Sequence, residues 1–565
     1  MTILRHAYAL SGSTLVSFNP AFPLAGTSIP VTGPTETLVG IDVRPSNGLL
    51  YGLGVNAATD TATLYNISVL TGVATIVGSF GPALGLDLPG SGYGFDFNPV
   101  VDRIRVTTET GLNFRVNPNN GSLTGIDTAI LGSAISGVAY TNDETTNGGV
   151  TAQYSLDAIS NTLKIANGPG GPNGGIQNPV GSVGVNFSTA NGFDIPPGVD
   201  TLVANSGVPS GSGLALLTVG VGTVQLYSID LVSGAGTLIG FFLDGFTPAS
   251  GLAILNTPSG ADFNIDGRGD ILWRHDSGQV YFWNMNGLQT NGEGSVAHAP
   301  VPNDWHIEGT GDFNGDFNSD ILWRHDSGQV YFWEMNGLAI KAEGGVAHAP
   351  VPNDWHIQGV GDFDADGHSD ILWRHDSGQV YFWEMNGLTI KAEGGVAHAP
   401  VPNDWHIQRL GDFDGDAKSD ILWRHDSGQV YIWEMNGLGI KAEGGIAHAA
   451  VPNDWHVQGI GDFNNDGNSD ILWRHDSGQV YIWETNGLGI KAEGGVAHAL
   501  VPNDWHIQSV GDFNGDGKSD ILWRQDGSGQ VYVWEMNGLQ VTAEGAVAHA
   551  PVPSEWHVFS DQNFI

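Results

Sequence analysis

Carboxylates and an amide alternate along one short acidic stretch near the C-terminus, GDFNGDGKSD at 511–520. Asp512, Asn514 and Asp516 occupy alternate positions, and Asp520 directly precedes the apolar run ILW. Side chains at alternate positions of a tight loop can converge on one centre. Hard cations such as Ca²⁺ take six to eight oxygen ligands at about 2.3–2.6 Å, and flexible carboxylate loops supply them. The stretch therefore predicts a site for a hard divalent cation.

The alternative is a solvated loop in which the acidic residues only form Asx turns. Two like charges about 5 Å apart repel by roughly 1–3 kcal/mol, depending on local screening. Three or four converging carboxylates without a cation are therefore unfavourable. We expect a divalent ion to offset this repulsion.

Nearly the same stretch occurs six times at intervals of 50 residues, and the last copy has one inserted residue. Near-identity at this period indicates a repeat architecture. Each copy carries the strand-like segments DILWRH and GQVYFWEM, or close variants of them, separated by a short turn. Two further strand-length segments, such as LTIKAEGGVA and WHIQGVGDF, bring the total to four strands, the size of one propeller blade.

At the two ends of the repeat region, one strand and one acidic loop lack the partner that they have in every other copy. The final WHVFS has no acidic loop after it, and the first acidic loop has no Trp-His strand before it. We therefore expect the last strand to complete the first blade. The region predicts an all-β propeller of six four-stranded blades, with seven blades as the alternative.

The loops begin like an EF-hand loop, but the last acid stands at position nine instead of a Glu at position twelve, and the flanks are strands. The pattern resembles the calcium loops of FG-GAP and VCBS repeats, and the likeness covers about 255–565. The resemblance implies up to six Ca²⁺ ions. It also implies side-chain ligands at loop positions one, three, five and nine, and a backbone carbonyl ligand at position seven.

Carried onto this sequence, the implied side-chain ligands are Asp262, Asn264, Asp266 and Asp270 in the first loop; Asp312, Asn314, Asp316 and Asp320 in the second; Asp362, Asp364, Asp366 and Asp370 in the third; Asp412, Asp414, Asp416 and Asp420 in the fourth; Asp462, Asn464, Asp466 and Asp470 in the fifth; and Asp512, Asn514, Asp516 and Asp520 in the sixth. The implied carbonyl ligands belong to Arg268, Asn318, His368, Lys418, Asn468 and Lys518.

The six loops differ at two positions that bear on affinity. Position six is Gly in four loops but Phe317 and Ala417 in the other two, and a positive φ there costs a non-glycine residue about 1 kcal/mol. Position three is a carboxylate only in Asp364 and Asp414. We therefore expect the third loop to bind Ca²⁺ most tightly and the second to lose it first.

The N-terminal half repeats more faintly, as in TLYNISVLTGVATIVGSF (63–80) and QLYSIDLVSGAGTLIGFF (225–242). All 18 Trp residues lie from Trp273 onward, which places a boundary near 254–263. We expect an all-β domain of repeated hairpins over 1–255, propeller-like with five or six blades or else a sandwich, and the repeat propeller over 256–565.

Within this half, the stretch GYGFDFNPVVDRIRVTTETGLNFRVNPNNG resembles an uncharacterised bacterial family, a domain of unknown function marked by GFDFNP and DRIR. The likeness spans about 7–255 and implies no activity. Asp102, Arg103 and Arg105 are candidates for an ion-pair network in a turn, or are simply charged residues exposed to solvent.

Two further repeated clusters have both a structural and a chemical interpretation. Arg274, His275 and Asp276 repeat in most copies, but no nucleophile with its own base repeats nearby, so we expect hydrogen bonding or pairing between blades. The loop HAPVPNDWH places Trp beside amide and carboxylate groups, which suits sugar stacking. Propeller lectins offer a likeness of architecture only.

Composition excludes several classes of protein. A formal charge of −40 disfavours binding to nucleic acid and to anionic membrane surfaces. The absence of Cys rules out disulfides and thiolate metal sites. No apolar run of 18 residues and no readable signal peptide occur, so we expect no transmembrane segment.

We therefore expect a calcium-binding protein of the cell surface or extracellular space that is not an enzyme. Calcium would structure its propeller, and exposed loops would bind a protein or glycan partner. The alternatives are a multivalent lectin with pockets between blades and, third, a hydrolase acting on polymers. The sequence leaves the ligand and the oligomeric state open.

Overall fold

The computed structural model describes residues 5–559 apart from 19, 21–22, 25, 47, 70, 82–83, 143–148, 197–198, 200, 246, 257–259 and 447. The chain divides into two compact units, Leu4–Asn256 and Thr257–Ile565.

The first unit consists of short strands with two 3-10 turns, Pro89–Ser91 and Gly171–Gly174, as its helical segments in the described part of the chain. Its strands are β1 (Arg5–Ser11), β2 (Thr14–Phe18), β3 (Gly26–Pro30), β4 (Thr37–Val43), β5 (Leu50–Asn56), β6 (Thr61–Ile67), β7 (Ala74–Phe80), β8 (Tyr93–Asn98), β9 (Arg103–Thr108), β10 (Asn113–Val116), β11 (Leu123–Ile126), β12 (Ile135–Tyr140), β13 (Gln153–Asp157), β14 (Thr162–Ile165), β15 (Asn178–Ser182), β16 (Phe187–Asp194), β17 (Ser212–Val219), β18 (Thr223–Asp230), β19 (Gly236–Phe241) and β20 (Ser250–Asn256).

These strands form five antiparallel four-stranded sheets: β20-β1-β2-β3, β4 to β7, β8 to β11, β12 to β15 and β16 to β19. The innermost strands contact one another in the order β4, β8, β12, β16, β20, and β20 contacts β4 again. The sheets therefore close a ring, and the prediction of a propeller-like all-β domain is confirmed.

Glycines allow the innermost strands to approach each other closely. A Cβ at Gly40 would lie 2.5 Å from the Cβ of Phe95 on the next blade, and one at Gly192 would lie 2.5 Å from the backbone N of Leu252. No real Cβ tolerates such contacts. The glycine at the start of GIDV, GFDF and GFDI is therefore a packing requirement of the ring.

The second unit is built from longer, nearly identical hairpins. Its strands are β21 (Ile271–His275), β22 (Val280–Asn286), β23 (Gln289–Ser295), β24 (Trp305–Gly311), β25 (Asp320–His325), β26 (Val330–Asn336), β27 (Ala339–Gly345), β28 (Trp355–Gly361), β29 (Asp370–His375), β30 (Val380–Asn386), β31 (Thr389–Gly395), β32 (Trp405–Gly411), β33 (Asp420–His425), β34 (Val430–Asn436), β35 (Gly439–Gly445), β36 (Trp455–Gly461), β37 (Asp470–His475), β38 (Val480–Asn486), β39 (Gly489–Gly495), β40 (Trp505–Gly511), β41 (Asp520–Gln525), β42 (Val531–Asn537), β43 (Gln540–Ala546) and β44 (Trp556–Phe559).

Six four-stranded antiparallel sheets are described in this unit, and the first has the order β23-β22-β21-β44. The last strand of the chain thus pairs with the first strand of the repeat region, Trp273 lying opposite Val558. The sequence predicted this closure, because the final strand has no acidic loop after it and the first acidic loop has no Trp-His strand before it.

The core of the second unit lies between neighbouring sheets. Trp323 and Trp333 of the second sheet pack with Phe263, Leu272 and Phe282 of the first. Because both faces of each sheet are covered, the strand DILWRH reads as a run of buried apolar residues.

Each repeated Arg stacks on the buried Trp of the next sheet, as Arg274 does on Trp323 with its guanidinium carbon 5.2 Å from the ring centroid. The set closes where Arg524 lies 5.4 Å from the Trp273 ring. The expected pairing between blades is confirmed for the arginines.

Candidate metal-binding loops

Five of the six acidic loops connect the first and second strands of a sheet, and the first loop directly precedes β21. In the second sheet the loop follows β24 and ends at Asp320, the first residue of β25. Asp320 accepts hydrogen bonds from the backbone N–H of Phe313 at 3.1 Å and of Met335 at 2.8 Å. The carboxylate at position nine therefore ties the loop to the neighbouring hairpin, and the corresponding Asp does the same in the other five loops.

The backbone of each loop wraps around the carboxylate at position one. Asp312 Oδ1 accepts the backbone N–H of Gly315 at 2.7 Å and of Asp316 at 3.1 Å, and its Oδ2 accepts that of Phe317 at 2.6 Å. A hydrogen-bonded carboxylate at the start of the loop fixes where the later side chains point.

In the third and fourth loops the carboxylates converge. One oxygen each from Asp362, Asp364 and Asp370 lies within 4.8 Å of the others, and the same holds for Asp412, Asp414 and Asp420. Two oxygens bound to one Ca²⁺ at about 2.4 Å are at most ~4.8 Å apart. The spacing of these donors therefore fits calcium.

Two further observations agree with a cation at the loops. Lys391 Nζ donates to Asp364 Oδ2 at 2.5 Å and to Asp366 Oδ2 at 2.7 Å, so a positive group already lies among the acids of the third loop. In the fifth loop, Asn464 Oδ1 is buried, and no donor among the described residues reaches it. A buried acceptor at position three is the atom that a cation would satisfy.

Burial raises the pKa values of the carboxyls at positions one and nine. The pKa of Asp362 rises to about 7 and that of Asp370 to about 8, and those of Asp412 and Asp420 rise to about 6 and about 8. Desolvation is the largest cause, and neighbouring carboxylates add to it. The loops therefore hold acids that burial makes reluctant to ionise without a cation.

A glutamate near position three was missed by the sequence reasoning. Glu384 and Glu434, from the repeated WEMNG, are each 8 % exposed. Burial and then the neighbouring aspartate, Asp364 or Asp414, raise their pKa values. The signal was present in the sequence, since the Glu occurs in five of the six copies, with Asn284 in the first.

The backbone φ angles bear on the expected ranking of the loops by calcium affinity. Position six has positive φ in all six loops, including 69° at Phe317 and 68° at Ala417, as expected. Position four also has positive φ, which the sequence reasoning missed, with 61° at Ala365 and 55° at Asn465. Each of the first five loops therefore has one non-glycine residue at positive φ, and the sixth, with Gly515 and Gly517, has none.

Backbone hydrogen bonds join consecutive loops. The N–H of Ser369 donates to the carbonyl oxygen of Asp312 at 2.6 Å, and equivalent bonds join the other neighbouring loops. The N–H of Gly269 in the first loop donates to the carbonyl of Asp512 in the sixth at 2.6 Å, which completes the circle. The six loops are one continuous hydrogen-bonded ring.

The other candidate residues are engaged elsewhere. Asp102 forms an ion pair with Arg44, and Arg105 pairs with Asp127, so Asp102 and Arg105 form ion pairs with residues outside the predicted turn. Arg103 donates to the carbonyl of Asp102 at 2.7 Å.

Three aspartates on the innermost strands of the first unit were not singled out. Asp42, Asp96 and Asp194 are buried, and one oxygen from each lies within 4.8 Å of the others. Each accepts a backbone N–H from the next innermost strand: Asp42 from Phe97, Asp96 from Tyr140 and Asp194 from Ile254. They tie neighbouring blades together.

The repeated NDWH loops lie at the surface. His306 Nε2 is 2.8 Å from Asp326 Oδ1, and both side chains are exposed. Trp305 is half-buried against His325 and Tyr331, with ring centroids 4.9 Å and 5.6 Å away. These Trp rings therefore pack largely against residues of their own blade.

Family models match both halves of the chain. Residues 14–253 match a domain of unknown function, DUF4394. Residues 362–423 and 412–473 match an FG-GAP-like repeat, and 509–534 match an FG-GAP repeat. No helix in the described part of the chain is long and apolar enough to cross a membrane.

No curated protein matches the sequence significantly. Among solved structures, a protein of unknown function from Bacteroides caccae is similar over 49 % of this chain and 93 % of its own, with 11 % identity and a TM-score of 0.28. The chain thus joins a DUF4394 domain to a C-terminal region of FG-GAP-like repeats.

Proposed function

We propose that the second unit binds Ca²⁺ in up to six loops and that the ions structure a binding or adhesion protein of the cell surface or extracellular space. The observation that carries the proposal is the convergence of three carboxylate oxygens within 4.8 Å in each of the third and fourth loops. FG-GAP repeats, which are typical of extracellular and surface proteins, support the location.

The proposed ligands are the side chains at positions one, three, five and nine, with the carbonyl oxygen of position seven. A bound ion would supply the positive charge that lets the buried carboxyls ionise. The chain itself holds those oxygens in place. Backbone N–H groups donate hydrogen bonds to the carboxylates at positions one and nine.

Calorimetric titration of metal-free protein with Ca²⁺ tests this proposal. We expect saturable binding at several sites, with Mg²⁺ binding more weakly because it demands smaller octahedral geometry. A variant with Asp362→Asn and Asp412→Asn should lose about two sites. Absence of any heat or stoichiometric binding would contradict the proposal.

The domain boundary is proposed at 255/256. Limited proteolysis of the full chain should then give two stable fragments that separate near the proposed boundary. Cutting that begins within the blades would contradict two independent domains.

A cavity in the sixth repeat favours glycan binding as a second candidate function. In the other copies an Asn side chain bridges two turns, as Asn503 Nδ2 donates to the carbonyl of Asp476 at 3.1 Å. Ser554 replaces that Asn, and Gly527 is inserted in the facing turn. The resulting cavity of 360 Å³ is lined by residues that include Gln508, Asp526, Ser528, Pro553, Ser554 and His557.

Hydroxyl, amide and carboxylate groups beside proline suit a sugar ring, and the volume lies within the roughly 300–1,000 Å³ of small-molecule sites. A glycan array with the full chain tests this. The matched control combines Ser554→Asn with deletion of Gly527, which restores the bridging Asn and the turn length of the other copies and should abolish binding. Equal binding by both proteins, or none by either, would contradict this candidate.

A further inference from the structure

Lysines from outside the acidic loops reach into the four middle loops. Lys341 Nζ is 2.6 Å from Asp316 Oδ2, and Lys491 Nζ is 2.6 Å from Asp466 Oδ2. In the third loop Lys391 contacts Asp364 and Asp366 together, and in the fourth Lys441 contacts Asp414 and Asp416 together. The acids they contact stand at positions three and five, where the calcium ligands are proposed.

The lysines belong to a different element from the loops. They lie on the fourth strand of each sheet, β27, β31, β35 and β39, whereas the loop joins the first and second strands. Their side chains are 40–51 % exposed, so each can turn outward into solvent without disturbing the core.

The first and sixth copies lack this lysine. Asn291 and Thr542 occupy the equivalent positions. There the loops themselves carry a cation, and Arg268 and Lys518 each lie 3.8 Å from the position-five carboxylate. The six sites therefore fall into two classes by a difference outside the ligand set.

We propose that Lys341, Lys391, Lys441 and Lys491 are built-in counter-cations that compete with Ca²⁺ for the four middle loops. The proposal rests on the calcium binding proposed above. Without Ca²⁺ each ammonium group neutralises part of the acidic loop, and on binding it withdraws, because the ammonium group and the ion repel each other at the same carboxylates. The lysines thus weaken calcium binding at four sites and stabilise the calcium-free ring.

The test compares the full chain with the variant Lys341→Met, Lys391→Met, Lys441→Met and Lys491→Met. Methionine is an unbranched side chain one atom shorter than lysine, and it removes the charge. Calcium titration against a competing chelator should show four sites that bind roughly two- to fivefold more tightly, as expected from the loss of a partly exposed ion pair, and two that are unchanged. The melting temperature of the metal-free variant should fall below that of the wild type.

The converse variant guards against poor folding of the first. Asn291→Lys and Thr542→Lys, made in the wild-type chain, should weaken two sites and leave four unchanged. If the wild type binds no Ca²⁺, both the calcium proposal and the lysine proposal fail. If the wild type binds Ca²⁺ and both variants give the same affinities as it does, only the lysine proposal is overturned.

Discussion

Asp420 shows how a single buried acid serves both the fold and the site. It is fully buried and accepts the backbone N–H of Phe413 and of Met435. Burial raises its pKa to about 8, so without a cation it is largely protonated at neutral pH. With Ca²⁺ bound it must be ionised, because metal ligands are deprotonated.

Asp420→Asn should therefore affect the two states differently. In metal-free protein we expect a loss of about 1–3 kcal/mol, because the amide nitrogen of Asn cannot accept one of the two backbone N–H groups. With saturating Ca²⁺ we expect a larger loss and one site fewer, since a charged ligand is missing. Thermal unfolding with and without Ca²⁺ measures both, with Asp376→Asn, an exposed residue, as control. Equal losses in the two conditions would contradict a ligand role.

The raised carboxyl pKa values predict how stability depends on pH. Burial lifts the pKa of Asp412 to about 6 and that of Asp320 to about 9, whereas an unfolded Asp titrates near 3.9. Between pH ~4 and ~8 the folded metal-free state binds more protons than the unfolded state, so its stability falls as the pH rises. Calcium displaces those protons, so the stabilisation by Ca²⁺ should grow over the same window.

Melting temperatures at pH 5, 6.5 and 8 check this dependence, using protein stripped of metal beforehand and the same protein with Ca²⁺. The gap between the two melting curves should widen from pH 5 to pH 8. A metal-free melting temperature that rises steadily with pH would show that the carboxyls are not protonated in the folded state.

At the scale of the loop, backbone conformation matters as much as ligand type. Gly367 has φ 85°, and a Cβ there would meet no atom within 4 Å, so its requirement is conformational. Gly367→Ala should cost about 1 kcal/mol of stability and weaken the third site, measured by unfolding and by calcium titration. Ala365→Gly, at position four of the same loop, should be neutral or stabilising. Equal effects of the two substitutions would contradict the strain argument.

The loops also show where sequence reasoning stops. Alternating acids, spaced by the repeat, were enough to predict strands, turns and candidate ligands, because each is a local pattern. The positive φ at position four was overlooked although Gly315, Gly415 and Gly515 signal it, because Ile265 and Ala365 occupy the same position in other copies. The reach of Lys391 was hidden, because it contacts acids 25 and 27 residues away through the pairing of strands.

At the scale of the whole molecule, the sequence predicted more of the second unit than of the first. The second unit repeats almost without change, so its all-β blades and its closing strand followed from the spacing alone. In the first unit only the hairpins and the motif GFDF were readable. Asp96 accepts the backbone N–H of Tyr140 in the next blade, and no sequence pattern links these two residues.

The ring of loop-to-loop hydrogen bonds links calcium binding to the stability of the entire second unit. If Ca²⁺ holds each loop in shape, then each ion also holds the bond from one loop to the next, such as Ser369 N–H to the carbonyl of Asp312. Loss of calcium should therefore lower the stability of the whole ring and not only of one blade.

The most direct test is thermal unfolding of the full chain followed by tryptophan fluorescence, because all 18 Trp residues lie in the second unit. Binding to the folded state alone adds about 2.7 kcal/mol per site at a hundredfold excess over the dissociation constant. We predict a clearly higher melting temperature in millimolar Ca²⁺ than in metal-free buffer, and a smaller rise in Mg²⁺. Superimposable melting curves with and without Ca²⁺ would contradict the account.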